Sequence, residues 1–386
     1  MIRSLKLLNY NENLYNVFIE KETLYINFFG KTKVISENVL DYCLEYFDKS
    51  LWISFYNEKC LISLVEVMLQ DSENIIINKH LALYIQKYVN KIDSLNMIIK
   101  NKEQINLIFR AWNNDKSFIF NSNVSIENNF NIISDNTLNS KISPFSIYSE
   151  DDKAMVLISE KNECEEYVLY NLLENIAEDN FLLPNTSNAS IIKYENRPVL
   201  FYNKKINSNV YFKYRYLDIK DKIKYINEEK SLDNIPDNII EPSISVYMGS
   251  IYLVGKNNKY IINAKSSDLS NWSINYSGKN INSMNVNIIK VIDNKAQKIN
   301  TYIKRNIVYN LIKNRDSYKL KENNYKLLEL LFYENNLNNK LDNINNMIKI
   351  QELYNDRCED YLIKIRELNN IINEKDKIIY NLLNQR

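Results

Sequence analysis

Residues 241–277 read EPSISVYMGSIYLVGKNNKYIINAKSSDLSNWSINYS, and their pattern sets the reading of the whole chain. A run from Ser243 to Met248 leads into Ile251-Tyr252-Leu253-Val254, which stops at Gly255. Lys256 to Lys259 forms a polar turn, Tyr260 to Ala264 a second apolar run, and a polar bend then reaches Trp272. Short runs of β-branched and aromatic residues bounded by turn residues predict strands.

Similar units stand on either side. Ala154 to Ile158 precedes a polar turn and Tyr167 to Leu172. Val199-Leu200-Phe201-Tyr202 precedes a turn over Lys204 to Asn209 and then Val210 to Ile219. Val286 to Ile292 begins a fourth copy. The runs centre on Leu157, Leu200 and Leu253, spaced 43 and 53 residues. Paired strands repeating at that length predict propeller blades. Residues 151–310 are therefore expected to form an antiparallel β domain, propeller-like but degenerate.

Further out the period changes. Leu14 to Ile19 and Thr23 to Phe29 read as two strands around a turn at Glu20-Lys21-Glu22. Leu61, Leu64, Val65, Met68 and Leu69 fall on one face of a helix. Asn78 is placed to cap a second helix carrying Leu81, Tyr84, Ile85, Tyr88 and Val89. Shorter helices are predicted around Leu95, Ile98 and Ile99, and around Ile105, Ile108, Phe109 and Trp112. The expectation is a mostly helical N-terminal bundle over 1–113, followed by a polar connector over 114–150.

Residues 325–386 carry an apolar seam with no Gly or Pro, which predicts a coiled coil. Its members are Leu337, Leu341, Ile344, Ile348, Tyr354, Tyr361, Ile365, Leu368, Ile372, Ile379 and Leu382, with Cys358 and Lys375 in the same register. The registers before and after Gln351 meet through a three-residue step, which overwinds a coil locally. The resulting fold class is α+β multidomain: helical bundle, propeller-like β domain and coiled coil.

Composition narrows the function classes. The 386 residues carry a net charge of +1, so no excess of charge steers the whole chain to nucleic acid or anionic membrane. Cys43, Cys60, Cys164 and Cys358 are scattered, without the close spacing of a zinc site or a disulfide framework, and suit a reducing, cytoplasmic setting. No apolar run approaches the ~18 residues of a membrane helix, and the N-terminus has no secretory pattern. Asn, Ile, Lys and Tyr dominate, as an AT-rich coding bias produces, so Asn-rich patches are discounted as loop signals.

Residues 60–91, CLISLVEVMLQDSENIIINKHLALYIQKYVNK, resemble the BACK segment of kelch-like proteins. SVYMGSIYLVGKNNKYIINA followed by Trp272 resembles a kelch blade, and poxvirus kelch-like proteins fit the coding bias. In that family the BTB and BACK parts dimerise and bind a cullin scaffold, while the propeller holds a substrate for ubiquitin transfer. Three departures stand against the pattern. The Gly-Gly pair of kelch blades is missing, the stretch before residue 37 is too short for a BTB domain, and a C-terminal coiled coil is foreign to the plan.

No catalytic, metal or cofactor site is expected. His80 is the only histidine, which leaves any triad or zinc set short, and it reads as a surface residue beside a helix cap. Four glycines provide no phosphate-cradling loop. Asp151-Asp152 and Glu165-Glu166 read as solvated acids rather than a carboxylate pair, and Trp52, Trp112 and Trp272 as packing residues. The basic–aromatic row of Lys213, Arg215, Lys220, Lys222 and Lys224, with Tyr214, Tyr216 and Tyr225, offers a nucleic-acid contact. Strand alternation puts Lys213 and Arg215 on one face and Tyr214 and Tyr216 on the other, which also describes an ordinary half-buried strand.

The expected function is a non-enzymatic protein–protein interaction or adaptor protein, of viral type by the resemblance. It binds host or viral proteins through its β domain and forms a homo-oligomer through its tail. A viral assembly subunit and a single-stranded nucleic-acid-binding protein are the alternatives.

Overall fold

The computed structural model describes residues 2–304 apart from short gaps, the longest at 135–146, and it describes no side chain from 125 to 167. Every regular element among these residues is a β-strand. The second sheet is a meander of β5 (Val39–Phe47), β6 (Ser50–Asn57), β7 (Leu61–Met68) and β8 (Ile76–Tyr84). The third holds β9 (Lys91–Asn101), β10 (Gln104–Asn113), β11 (Lys116–Asn123) and β12 (Phe130–Ser134). The fourth holds β13 (Ile147–Glu150), β14 (Lys153–Ser159), β15 (Cys164–Asn171) and β16 (Ile176–Pro184).

The fifth sheet runs β17 (Thr186–Tyr194), β18 (Arg197–Ile206), β19 (Asn209–Asp218) and β20 (Lys224–Tyr225), and β21 (Lys230–Ser231) also pairs with β19. The sixth holds β22 (Ile240–Tyr247), β23 (Ser250–Lys256), β24 (Ile261–Ser266) and β25 (Ser273–Ser277). The first sheet draws on both ends of this series. It joins β1 (Ile2–Tyr10), β2 (Asn13–Glu20), β3 (Thr23–Phe28) and β4 (Lys31–Ser36) to β26 (Ser283–Ile292) and β27 (Lys295–Lys304). The joint is a parallel pair, with Lys6 to Asn9 opposite Asn287 to Lys290.

End strands of neighbouring sheets meet: β5 lies against β9, β17 against β22, and β22 against β27. The faces behind them share apolar cores. Val17, Ile26, Leu44 and Ile53 join the first and second sheets, and Trp52, Leu64, Leu107 and Phe109 join the second and third. Leu169, Leu183, Leu200 and Leu217 join the fourth and fifth, and Phe201, Tyr214, Leu253 and Ile262 join the fifth and sixth. Five consecutive meanders and a closing sheet sealed by both ends of the strand series make a β-propeller.

This corrects the α+β expectation. The helical bundle predicted over 1–113 is strands β1 to β10. A blade buried on both faces has no alternating pattern to display: β6 is buried from Ser50 to Tyr56, and β7 from Leu64 to Val67. Continuous apolar runs satisfy a helical stripe by coincidence, and the wealth of Ile, Val, Tyr and Phe should have outweighed it. Residues 60–91 are accordingly β7 and β8 with their flanks, not the helix pair of a BACK segment. Asn78 caps nothing and sits within β8. The predicted coiled coil over 325–386 lies outside the described residues.

Asparagine replaces glycine at many turns. Asn11, Asn38, Asn114, Asn185, Asn196, Asn207 and Asn294 all have positive φ. Among residues with a Cβ, Asn enters the left-handed region most readily, because its short side chain bonds locally. Two-residue hairpins at Lys21-Glu22, Asp48-Lys49 and Glu195-Asn196 have both residues left-handed, the conformation that matches strand twist.

Candidate functional site

The hairpin of β18 and β19 brings a set of polar side chains to one face. Tyr202 stands opposite Lys213, Lys204 opposite Tyr211, and Leu200 opposite Arg215. With a period of two, Tyr202 and Lys204 share their face with Tyr211, Lys213 and Arg215. The other face carries Phe201, Phe212 and Tyr214 into the core shared with the sixth sheet. The alternation expected from the sequence thus holds for Lys213 and Arg215 against Tyr214.

After Asp218 the chain returns along β19, pairing first as β20 and then as β21. Between those pairings it delivers Glu229 onto the cationic face. Glu229 Oε2 accepts a hydrogen bond from the Tyr202 hydroxyl at 2.6 Å. Lys204 Nζ donates at 2.9 Å to Oε2 and 3.1 Å to Oε1, and Lys213 Nζ donates at 2.8 Å to Oε1. Arg215 Nε lies 4.0 Å from Oε2, and its guanidinium stacks 4.0 Å from the centre of the Tyr225 ring.

Burial alone raises the Glu229 carboxyl, but hydrogen bonds from Lys213, Tyr202 and Lys204 outweigh it and hold the group at about 2. The Tyr202 hydroxyl is pushed well up, first by burial and then by the carboxylate it serves. Three cations therefore share one carboxylate. Side-chain exposure is 13% for Glu229 and 14% for Lys213, but 23% for Arg215 and 31% for Lys204. Lys204 and Arg215 are thus the members of the cluster nearest solvent.

The predicted basic row divides. Lys213 and Arg215 converge on Glu229. Lys222 and Lys224 are exposed in the return segment, and Lys220 lies outside the described residues. Glu229, Tyr202 and Lys204 were missed by sequence reasoning. The hairpin register was available for Tyr202 and Lys204, whereas no local signal marks the return of residues 224–231 to β19.

Two other charged clusters are closed. Arg110 Nε and one terminal nitrogen donate to the two Asp93 oxygens at 2.7 and 3.1 Å, and Trp112 Nε1 donates to Asp93 at 2.7 Å. His80 is not beside a helix cap but in β8, with Nε2 3.1 Å from Glu66 Oε2 and its ring 4.7 Å from that of Trp52. Burial raises the Glu66 carboxyl, but hydrogen bonds with Ser50, His80 and Asn78 leave it below its usual range. In each cluster one acid meets one basic side chain.

No protein-family model matches the chain, and no curated protein matches its sequence. Among solved structures it is similar to the β-propeller domain of the Trilobed protease from Pyrococcus furiosus, at 12% identity and a TM-score of 0.45, covering 79% of this chain and 98% of that one. It is similar to the WD40 domain of SCAP from fission yeast at 11% identity and a TM-score of 0.40, covering 69% and 74%. A GH43 endo-arabinanase from Bacillus licheniformis aligns at 11% identity and a TM-score of 0.33, covering 62% and 94%. Likeness at this level carries no chemistry to this chain, and the fold assignment rests on its own sheet topology.

Proposed function

We propose that this chain is a non-enzymatic protein-binding scaffold that recognises a partner through the part-exposed cations Lys204 and Arg215 of its fifth sheet. The observation that carries this reading is the unequal cluster at Glu229, where three cations, one of them a guanidinium over a tyrosine ring, surround one carboxylate. Arginine and tyrosine held in place by packing are the side chains that contribute most to protein interfaces. The apolar seam from Leu337 to Leu382 supports a second element of the proposal, association of copies through the tail.

The test is affinity purification of the full chain from cells that express it, quantified against a Lys204→Glu/Arg215→Glu variant with an unchanged circular dichroism spectrum. A protein partner that is lost with the variant supports the reading. An unchanged partner set, or nucleic acid as the only material lost, overturns it.

A further inference from the structure

The Glu229 cluster is a roofed cage, not an open groove. Leu200, Tyr202 and Leu217 on the same face of β18 and β19 pack with Leu169 and Leu183 of the fourth sheet, so this face is a contact between sheets. Lys204 and Arg215 carry the cluster out to solvent, and the return segment covers it. Between Lys224 and Ser231 every described residue of that segment is exposed except Glu229, which turns inward.

The cage holds one donor more than its carboxylate can serve. Glu229 Oε2 accepts from Tyr202 and Lys204, and Oε1 accepts from Lys204 and Lys213, all within 3.1 Å. Two bonds on each oxygen use the lone pairs of a carboxylate. Arg215 Nε stands 4.0 Å from Oε2, beyond hydrogen-bond reach, and this buried atom finds no acceptor among the described residues. A buried donor left unmet costs free energy. A phosphate monoester offers a third terminal oxygen and about two negative charges at neutral pH. Arginine and lysine together are the side chains that recognise such a group.

The roof is fastened on both sides of Glu229 without it. Ile223 N donates to Asp179 Oδ2 at 2.8 Å, Ile226 N to the Tyr216 carbonyl at 3.1 Å, and Leu232 N to the Phe212 carbonyl at 3.2 Å. Ile223 and Leu232 are also buried. Between Ile226 and Leu232 the strand pairing among the described residues is that of β21, two residues long. Glu229 can therefore swing out at the cost of that short pairing and its own bonds, while the flanks stay fixed.

We propose that Tyr202, Lys204, Lys213 and Arg215 form a phosphate-binding cage that Glu229 keeps shut, and that a phosphate group, free or esterified to a partner, enters by displacing Glu229. This rests on the reading above for the partner and adds the group recognised and the gate.

The experiment is isothermal titration calorimetry of the full chain and of Glu229→Ala with inorganic phosphate at neutral pH. The variant is expected to bind phosphate at least tenfold more tightly than the wild type, because no internal carboxylate competes. Acetate and dimethyl phosphate, each with two terminal oxygens and one charge, are expected to bind the variant at least tenfold more weakly than phosphate. Adding Arg215→Gln to Glu229→Ala weakens phosphate severalfold more than acetate, whereas adding Lys222→Gln/Lys224→Gln leaves phosphate within twofold. A phosphoserine peptide separates the sources: tighter binding than that of the free ion places the phosphate on a protein, and equal or weaker binding makes the free ion the ligand. In the wild type, amide hydrogen exchange of residues 228–231 quickens in phosphate relative to chloride of equal ionic strength, which reads the gate without any substitution.

No phosphate binding by folded Glu229→Ala, equal affinity for phosphate and acetate, or unchanged exchange in the wild type overturns the proposal. A partner that depends on Lys204 and Arg215 in cells, combined with no phosphate binding, leaves the scaffold reading standing and removes only the phosphate cage.

Discussion

Leu8 on β1 and Ile289 on β26 face each other across the only parallel strand pair among the described residues, and both are fully buried. Their contact closes the propeller. Leu8→Ala or Ile289→Ala is expected to cost about 2–5 kcal/mol, the range for truncating a packed core residue. Urea unfolding followed by tryptophan fluorescence measures it. A loss below ~1 kcal/mol at both positions means that this seam contributes little to the stability of the ring.

Glu229 makes the fold sensitive to acid. Its carboxyl is lowered from an ordinary 4.5 to about 2. A carboxyl of lowered pKa contributes stability that is complete above its unfolded value and is lost as pH falls through its folded one. The wild-type urea midpoint should therefore fall as pH drops from 4.5 towards 2, with a shallower fall in Glu229→Gln. At pH 7 the variant should be less stable by about 1–3 kcal/mol, from lost hydrogen bonds to a charged group. Parallel pH curves for the two proteins remove Glu229 as the source.

Asp93 neutralises an arginine whose side chain is only 10% exposed. Asp93→Ala removes the acid that pairs with that guanidinium and accepts from the Trp112 indole N–H, at an expected cost of about 3–5 kcal/mol. Asp93→Ala/Arg110→Met should regain at least half of the loss, because no charge is then left unpaired. A double variant less stable than the single one contradicts this account.

At the β2–β3 turn, Lys21 and Glu22 have φ values of 50° and 62°. Side chains with a Cβ pay about 1 kcal/mol or more for that conformation. Glu22→Gly relieves the strain but adds freedom to the unfolded chain, so a net gain of up to ~1 kcal/mol is expected in thermal or urea unfolding.

Residues 325–386 are proposed to hold copies together. Deleting them should convert the protein to a monomer in light scattering while the strand signal in circular dichroism persists. A truncated chain that stays multimeric places self-association in the propeller instead.

How far the sequence could be read depended on where each strand sits. The hairpins at Leu14–Phe29 and Val199–Ile219 were legible because polar turns separate runs of the right length. Leu157, Leu200 and Leu253 each belong to the second strand of a sheet, β14, β18 and β23, so the repeat was caught at equivalent points. The same repeat continued unseen through Ile53 on β6 and Ile108 on β10, both fully buried. There Leu61, Leu64, Val65 and Met68 happened to match a helical stripe. Setting Asn aside as a coding artefact also removed the best marker of the turns, since left-handed Asn ends many of these strands. At the site, Lys213 and Arg215 were visible as a pair on one face. Their counter-ion was not, because Glu229 arrives from a return segment whose pairing with β19 depends on tertiary structure.

The parallel pair of β1 and β26 also dictates a timetable. On the ribosome β1 is made well over two hundred residues before its parallel neighbour β26, so that edge stays bare until β26 emerges. An open strand edge is a template for unwanted pairing with other nascent chains. Successful production of this protein is therefore expected to hinge on what shields that edge, a chaperone or a slowly folding first sheet, until residues 283–304 emerge.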